Sequence, residues 1–133
     1  MTVDFNKYMS FVDEVTSEAS KDADYFSESC DIIEEQGVAP ERILTAAIGI
    51  CAEGGEFAEV VKKCFFQGKP MDEDAQYHMK RELGDIMWYV VQACIALDIS
   101  IDDVVETNIE KLEARYPGGF DAYMSENRKD GDI

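Results

Sequence analysis

Apolar residues recur at intervals of three and four along most of this chain. Phe5, Tyr8, Met9, Val12, Val15 and Ala19 form one such stripe and predict a first helix over about residues 3–20 with one buried face. Between residues 21 and 39 the pattern thins, because Tyr25, Phe26, Ile32 and Ile33 are separated by acids and serines. That stretch ends at Gly37 and reads as a short helix or an ordered loop. A second, long helix should open near Pro40, a residue favoured at a first helical position, and run to about Phe66, where Gln67-Gly68-Lys69-Pro70 stop it. A third runs from about Asp72 to Leu97. Ser100 and Asp103 then have the spacing of a capping box, with Ile99 and Val104 as its hydrophobic staple, and open a fourth helix that ends before Pro117-Gly118-Gly119. The prolines Pro40, Pro70 and Pro117 all fall between these segments. No alternating strand pattern, internal repeat or low-complexity tract interrupts them. The expectation is an all-α antiparallel bundle of four to five helices, one domain over residues 1–120, followed by a polar, flexible tail over 121–133.

Composition narrows the function classes. The 133 residues suit one core, and 46% hydrophobic content with 11% aromatic residues is far from that of a disordered acidic chain. A net charge of −17 would repel a phosphate backbone, so no nucleic-acid partner is expected. The longest nearly apolar run, Ile86 to Leu97, falls short of the ~20 residues of a membrane span, so no membrane partner is expected either. The opening residues Met1 to Phe5 lack the basic and apolar regions of a secretory signal, which points to the cytoplasm. Cys30, Cys51, Cys64 and Cys94 form no C-x-x-C pair and read as small core residues in a reducing compartment.

The chemistry lies in carboxylates that interrupt apolar stripes. On the second helix Ala46, Ile50, Phe57 and Val60 share one direction, and Glu53 shares it with them; Glu56 follows three residues later on the neighbouring turn. The third helix repeats the device with Glu82 and Asp85 among Met79, Ile86, Tyr89 and Ala93. Four such acids crowded together need a positive charge among them. Oxygen-only ligands suit Mg²⁺, with Mn²⁺ as a substitute, better than zinc. The sequence has no Glu-x-x-His for a di-iron bundle, and Tyr77 stands where an EF-hand loop needs glycine. The competing reading is a pair of solvated acidic faces. Two pairs, each on the apolar stripe of one of two adjacent helices, favour the metal site over it. On the fourth helix Asn108, Lys111 and Arg115 share the side of Ile101, Val104, Val105 and Leu112, an arrangement suited to the outer oxygens of a triphosphate and equally to a surface pattern of ion pairs.

Three segments in order resemble the MazG-like all-α nucleotide pyrophosphohydrolases. Gly49-Ile50-Cys51-Ala52-Glu53-Gly54-Gly55-Glu56-Phe57-Ala58-Glu59 is similar to their first metal motif, and Glu82-Leu83-Gly84-Asp85-Ile86-Met87-Trp88-Tyr89 to their second. The stretch from Asn108 through Lys111, Leu112, Arg115, Tyr116 and Pro117 to Gly119-Phe120 is similar to the family's N-x-x-K-L-x-x-R-Y-P-x-G-F ending. The resemblance implies a nucleoside triphosphate substrate, in particular a deoxynucleoside triphosphate, cleaved between the α and β phosphates to monophosphate and pyrophosphate. Mg²⁺ is the implied cofactor, with Glu53, Glu56, Glu82 and Asp85 as ligands and catalytic residues, and Asn108, Lys111 and Arg115 as substrate-binding residues. Ala52 stands where the longer motif has the first of two adjacent glutamates, which leaves the general base and the number of metal ions open.

The resemblance also implies a nucleobase pocket walled by the first helix and the loop after it, with Phe5, Tyr8, Phe11, Tyr25 and Phe26 as candidate residues, and a homodimer or homotetramer. Apolar residues on more than one face of the long helices, such as Ile48 with Val61 and Trp88 with Val91, point the same way. Glu59 reads either as an extra ligand or as the partner of Lys62 or Lys63, Tyr89 and Gln92 share the Glu82 face, and His78 is assigned no role. Rival readings are a phosphoribosyl-ATP pyrophosphohydrolase-like enzyme and an acidic helical partner-binding module without turnover.

Overall fold

The computed structural model describes residues 3–127, and all its regular elements are helical. Helix α1 (Phe5–Val15) is capped by Asp4, whose carboxylate accepts from the N–H groups of Asn6 and Lys7. It is shorter than the expected 3–20. Thr16 turns extended after donating its hydroxyl to the Val12 carbonyl at 2.6 Å, and a separate 3₁₀ turn follows at Glu18–Ser20. The ambiguous stretch is helix α2 (Ala23–Glu35), started by Asp22, which accepts from the N–H groups of Asp24 and Tyr25, and followed by Gly37 at φ +85°.

The long helices are α3 (Pro40–Phe66) and α4 (Glu73–Leu97), with Pro40 in the first turn of α3 and Asp72 capping α4 through the N–H of Ala75. Between them Gly68 adopts φ +72°, and the N–H of Lys69 donates back to the Lys63 carbonyl at 3.1 Å, reversing the chain so that the helices run antiparallel. The other end of the hairpin is closed by a 3.1 Å hydrogen bond from the N–H of Ala39 to the Ala96 carbonyl. Helix α5 (Ile101–Arg115) opens with the expected capping box: the Ser100 hydroxyl accepts from the Asp103 N–H at 3.0 Å, and the Asp103 carboxylate accepts from the Ser100 N–H at 3.1 Å. A short helix α6 (Ala122–Glu126), capped by Asp121, lies inside the stretch read as a tail; residues 128–133 of that tail are outside the described residues.

Packing is concentrated between α3 and α4, with α2 laid against the 3₁₀ turn and part of α3. Helix α5 leaves α4 at 100° and does not lie along the hairpin. Among the described residues the buried apolar side chains are small: Ala46, Ala75, Cys94 and Ala96. Of the four cysteines, all free, only Cys94 is buried, and Cys51 is exposed, so the expectation of four core thiols holds for one within a single chain. Small residues let the two backbones approach closely. At Gly49 the approach is closest, since a Cβ there would fall into the ring of Tyr89 from α4. Tyr89 in turn packs edge-to-face on Trp88, with centroids 4.8 Å apart.

Gly49→Ala should therefore destabilise the fold by about 1–2 kcal/mol, because the clash outweighs the roughly 1 kcal/mol that alanine gains over glycine in a helix. In a Tyr89→Ala background the same change should stabilise. Chemical denaturation of the four proteins at equal concentration checks this reversal of sign, and a destabilising Gly49→Ala in both backgrounds would disprove the ring contact as the cause.

Candidate metal centre

The antiparallel hairpin places Glu53, one turn after Gly49 on α3, opposite Glu82 and Asp85 on α4. One carboxylate oxygen from each of the three lies within 4.8 Å of the other two. Glu53 and Glu82 are half-buried and Asp85 is exposed, so the cluster sits at the edge of the helix interface, reachable from solvent. Burial, followed by the charges of Glu56, Asp85 and Glu82 and a hydrogen bond to Glu82, pushes the Glu53 carboxyl above its usual range. Glu56 acts on Glu53 electrostatically but stands exposed, outside the set of three that meet.

The donor chemistry fits a hard divalent cation: three carboxylates with crowded oxygens, open on one side, and free of nitrogen or sulfur ligands. Glu53 carries the electrostatic cost of a cluster whose charges repel one another.

That cost has a pH signature. Glu53 holds its proton more tightly folded than unfolded, so in the cation-free protein stability should fall as pH rises through the window above the usual glutamate value of 4.5. Glu59 and Asp103 act in the opposite sense, since Lys62 and Lys63 hold the first, and Ser100 the second, below their usual values. Their contribution is complete above those values and is lost as pH falls through the lowered ones. Thermal midpoints measured in chelator should thus peak at mildly acidic pH, and Glu53→Gln should flatten the decline toward neutrality. Parallel profiles for the two proteins would count against the cluster.

The remaining candidates divide. Glu59 bridges Lys62 at 2.7 Å and Lys63 at 3.1 Å, so in this structure it is an ion-pair partner. His78 lies 3.7 Å from Asp74, one turn away on its own helix. Asn108, Lys111 and Arg115 are carried by α5, and their own chain does not lay that helix along the carboxylates. Arg115 lies with its guanidinium 6.0 Å from the centroid of the Tyr116 ring, beside a cavity formed with Pro117, Gly119 and Phe120. Phe5, Tyr8, Phe11, Tyr25 and Phe26, expected to wall a base pocket, are all exposed. Sequence reading passed over Arg42, whose Nη1 donates to the Gln92 carbonyl oxygen across the hairpin at 2.7 Å. The available signal was its place on the stripe of Gly49 and Glu53, three turns before Glu53.

The family pattern described as MazG nucleotide pyrophosphohydrolase domain matches residues 42–120, which hold α3, α4, α5 and the three carboxylates that meet. The chain belongs to the MazG family. This matches the resemblance read from the sequence motifs. A relative among curated proteins, the Gene 37 protein of Mycobacterium phage L5, is 32% identical over 89 residues, covering 66% of this chain and 78% of the phage protein. No solved structure matches. MazG proteins are generally dependent on divalent metal, and the acidic cluster lies inside the matched region. Among the described residues no single helix is long and apolar enough to cross a membrane.

Proposed function

We propose that this protein is a Mg²⁺-dependent pyrophosphohydrolase of nucleoside triphosphates, acting on deoxynucleoside triphosphates in the control or cleansing of the nucleotide pool. Water attacks at the α phosphate, the bond to the β phosphate breaks, and monophosphate and pyrophosphate leave. The observation that carries this reading is the meeting of Glu53, Glu82 and Asp85 within the region matched by the family. Those three carboxylates hold the cation, with Glu56 as a fourth ligand drawn in from its exposed position. When bound there, a divalent cation offsets the charge of the triphosphate and acidifies nearby water. Mn²⁺ has the same ligand preferences and substitutes for Mg²⁺.

Asn108, Lys111 and Arg115 serve as donors to phosphate oxygens, and a second copy brings them over the carboxylates. Support comes from the surface of the single chain. Its 10620 Å² compares with about 7,000 Å² for a folded monomer of 15.0 kDa, and residues such as Phe11, Ile48, Met87 and Ile109 contribute to the excess. The excess is larger than one partner's share of a standard interface and suits an obligate homodimer or homotetramer. Sedimentation should accordingly show no stable 15.0 kDa species at micromolar concentration.

Product analysis tests the activity. A panel of ribo- and deoxyribonucleoside triphosphates, with and without Mg²⁺, should yield monophosphate and pyrophosphate, and orthophosphate as the inorganic product would refute cleavage at this bond. Phosphoribosyl-ATP belongs in the panel, since its preferred hydrolysis would favour the related enzyme. A complete lack of turnover would favour the partner-binding module.

A further inference from the structure

An open groove of about 440 Å³ lies between the start of α3 and the last third of α4, lined by Glu41, Arg42 and Thr45 from one helix and Trp88 and Gln92 from the other. It lies along the same pair of helices as the carboxylates: Tyr89 is one turn beyond Asp85, its ring covers Gly49 one turn before Glu53, and Trp88 packs on that ring. Gln92 lies about 10 Å along the helix axis from Asp85. A sugar and a base extending from a phosphate held at the cluster would span a comparable distance.

The polar atoms of the groove are set in a particular order. The Gln92 carbonyl oxygen is engaged by Arg42 at 2.7 Å, which fixes the amide so that its N–H₂ remains as donor, beside the other N–H groups of the guanidinium. Thr45 donates its hydroxyl to the Glu41 carbonyl at 2.8 Å. The Glu41 carboxylate, an acceptor only, lies on the same rim as these donors. Trp88, a little over half exposed, offers an aromatic surface beside them. Donors and a carboxylate lining one groove with an indole match a planar ring bearing a carbonyl next to a ring N–H. Guanine, thymine and uracil have that edge; adenine and cytosine, without a ring N–H there, do not. A phosphate is a poor occupant, because Glu41 would repel it.

We infer that this groove receives the nucleobase and selects bases with a carbonyl next to a ring N–H, Arg42 and Gln92 donating to the carbonyl, Glu41 accepting from the N–H, and Trp88 stacking. The inference rests on the pyrophosphohydrolase reading for the position of the phosphates, but the groove can be tested without turnover. Trp88 is the only tryptophan in the chain, so its emission reports on the groove alone.

The experiment titrates the 133-residue chain, in chelator, with deoxyguanosine, thymidine, deoxyadenosine and deoxycytidine, and separately with inorganic tripolyphosphate. Deoxyguanosine and thymidine should quench Trp88 saturably, with affinities about tenfold above those of the other two nucleosides, and Arg42→Met should erase that preference while far-ultraviolet dichroism stays unchanged. Tripolyphosphate should leave the emission unmoved. Equal response to all four nucleosides, quenching by tripolyphosphate, or an Arg42→Met protein that keeps the preference would each overturn the assignment. So would emission that shifts with protein concentration and ignores nucleosides, since Trp88 would then lie beneath a second copy. Pyrophosphate release without nucleoside quenching removes the groove and leaves the enzyme; selective quenching without pyrophosphate release does the reverse.

Discussion

Chelation of divalent cations should abolish pyrophosphate release and, at the same time, collapse the affinity for triphosphate. Both effects follow from charge. The chain carries −17, its three clustered carboxylates lie within 4.8 Å of one another, and a triphosphate is itself a polyanion. Without a cation between them, burial and neighbouring acids already drive Glu53 toward its protonated form, and a further anion brought to the same place meets only repulsion. Restoring Mg²⁺ should restore both binding and turnover. It should also raise the thermal midpoint, since an ion that binds only the folded state stabilises it by about 2.7 kcal/mol at a hundred times its Kd. Isothermal titration with a non-hydrolysable triphosphate, before and after chelation, is the direct measurement. An affinity unchanged by chelation would remove the cation from its bridging role.

Glu82→Gln and Asp85→Asn should each lower turnover by about a hundredfold or more, because changes merely behind a metal ligand already cost about ten- to a hundredfold. Glu56→Gln should fall with them if the exposed Glu56 is drawn in as the fourth ligand. The accompanying effect on stability runs the other way. Each substitution removes one of the charges that raise the Glu53 pKa, so the cation-free variants should melt at or above the wild-type temperature at neutral pH. Loss of activity together with loss of helical dichroism would make these residues structural; full activity in Glu82→Gln would take it out of the site.

Much of this was legible in the chain. Pro40 and the Gln67-Gly68-Lys69-Pro70 stop set the bounds of α3, and the capping box of Ser100 with Asp103 set the start of α5, because each signal is local and acts through its own backbone hydrogen bonds. Periodicity placed Glu53 and Glu82 on facing stripes, and three of the four expected carboxylates do meet. Helix α2 was ambiguous because Asp24, Glu28, Asp31 and the serines dilute its stripe, and its decisive signal is the cap at Asp22. What the chain could not disclose is contact at a distance. The seating of the Tyr89 ring on Gly49 and the bond from Arg42 to Gln92 depend on how two helices are laid together. The 100° departure of α5 carries Asn108, Lys111 and Arg115 away from the hairpin, a direction their spacing within one helix does not encode.

Among the described residues, alanines and one cysteine form the apolar core that a single chain shuts away from water, while Phe11, Met87 and Ile109 stay wet. A copy standing alone therefore has little to keep it upright, and the proposed self-association would supply the rest. If copies pair as proposed, lifetime against proteases should depend on how many are present, so that scarce expression yields a disproportionately small amount of folded protein.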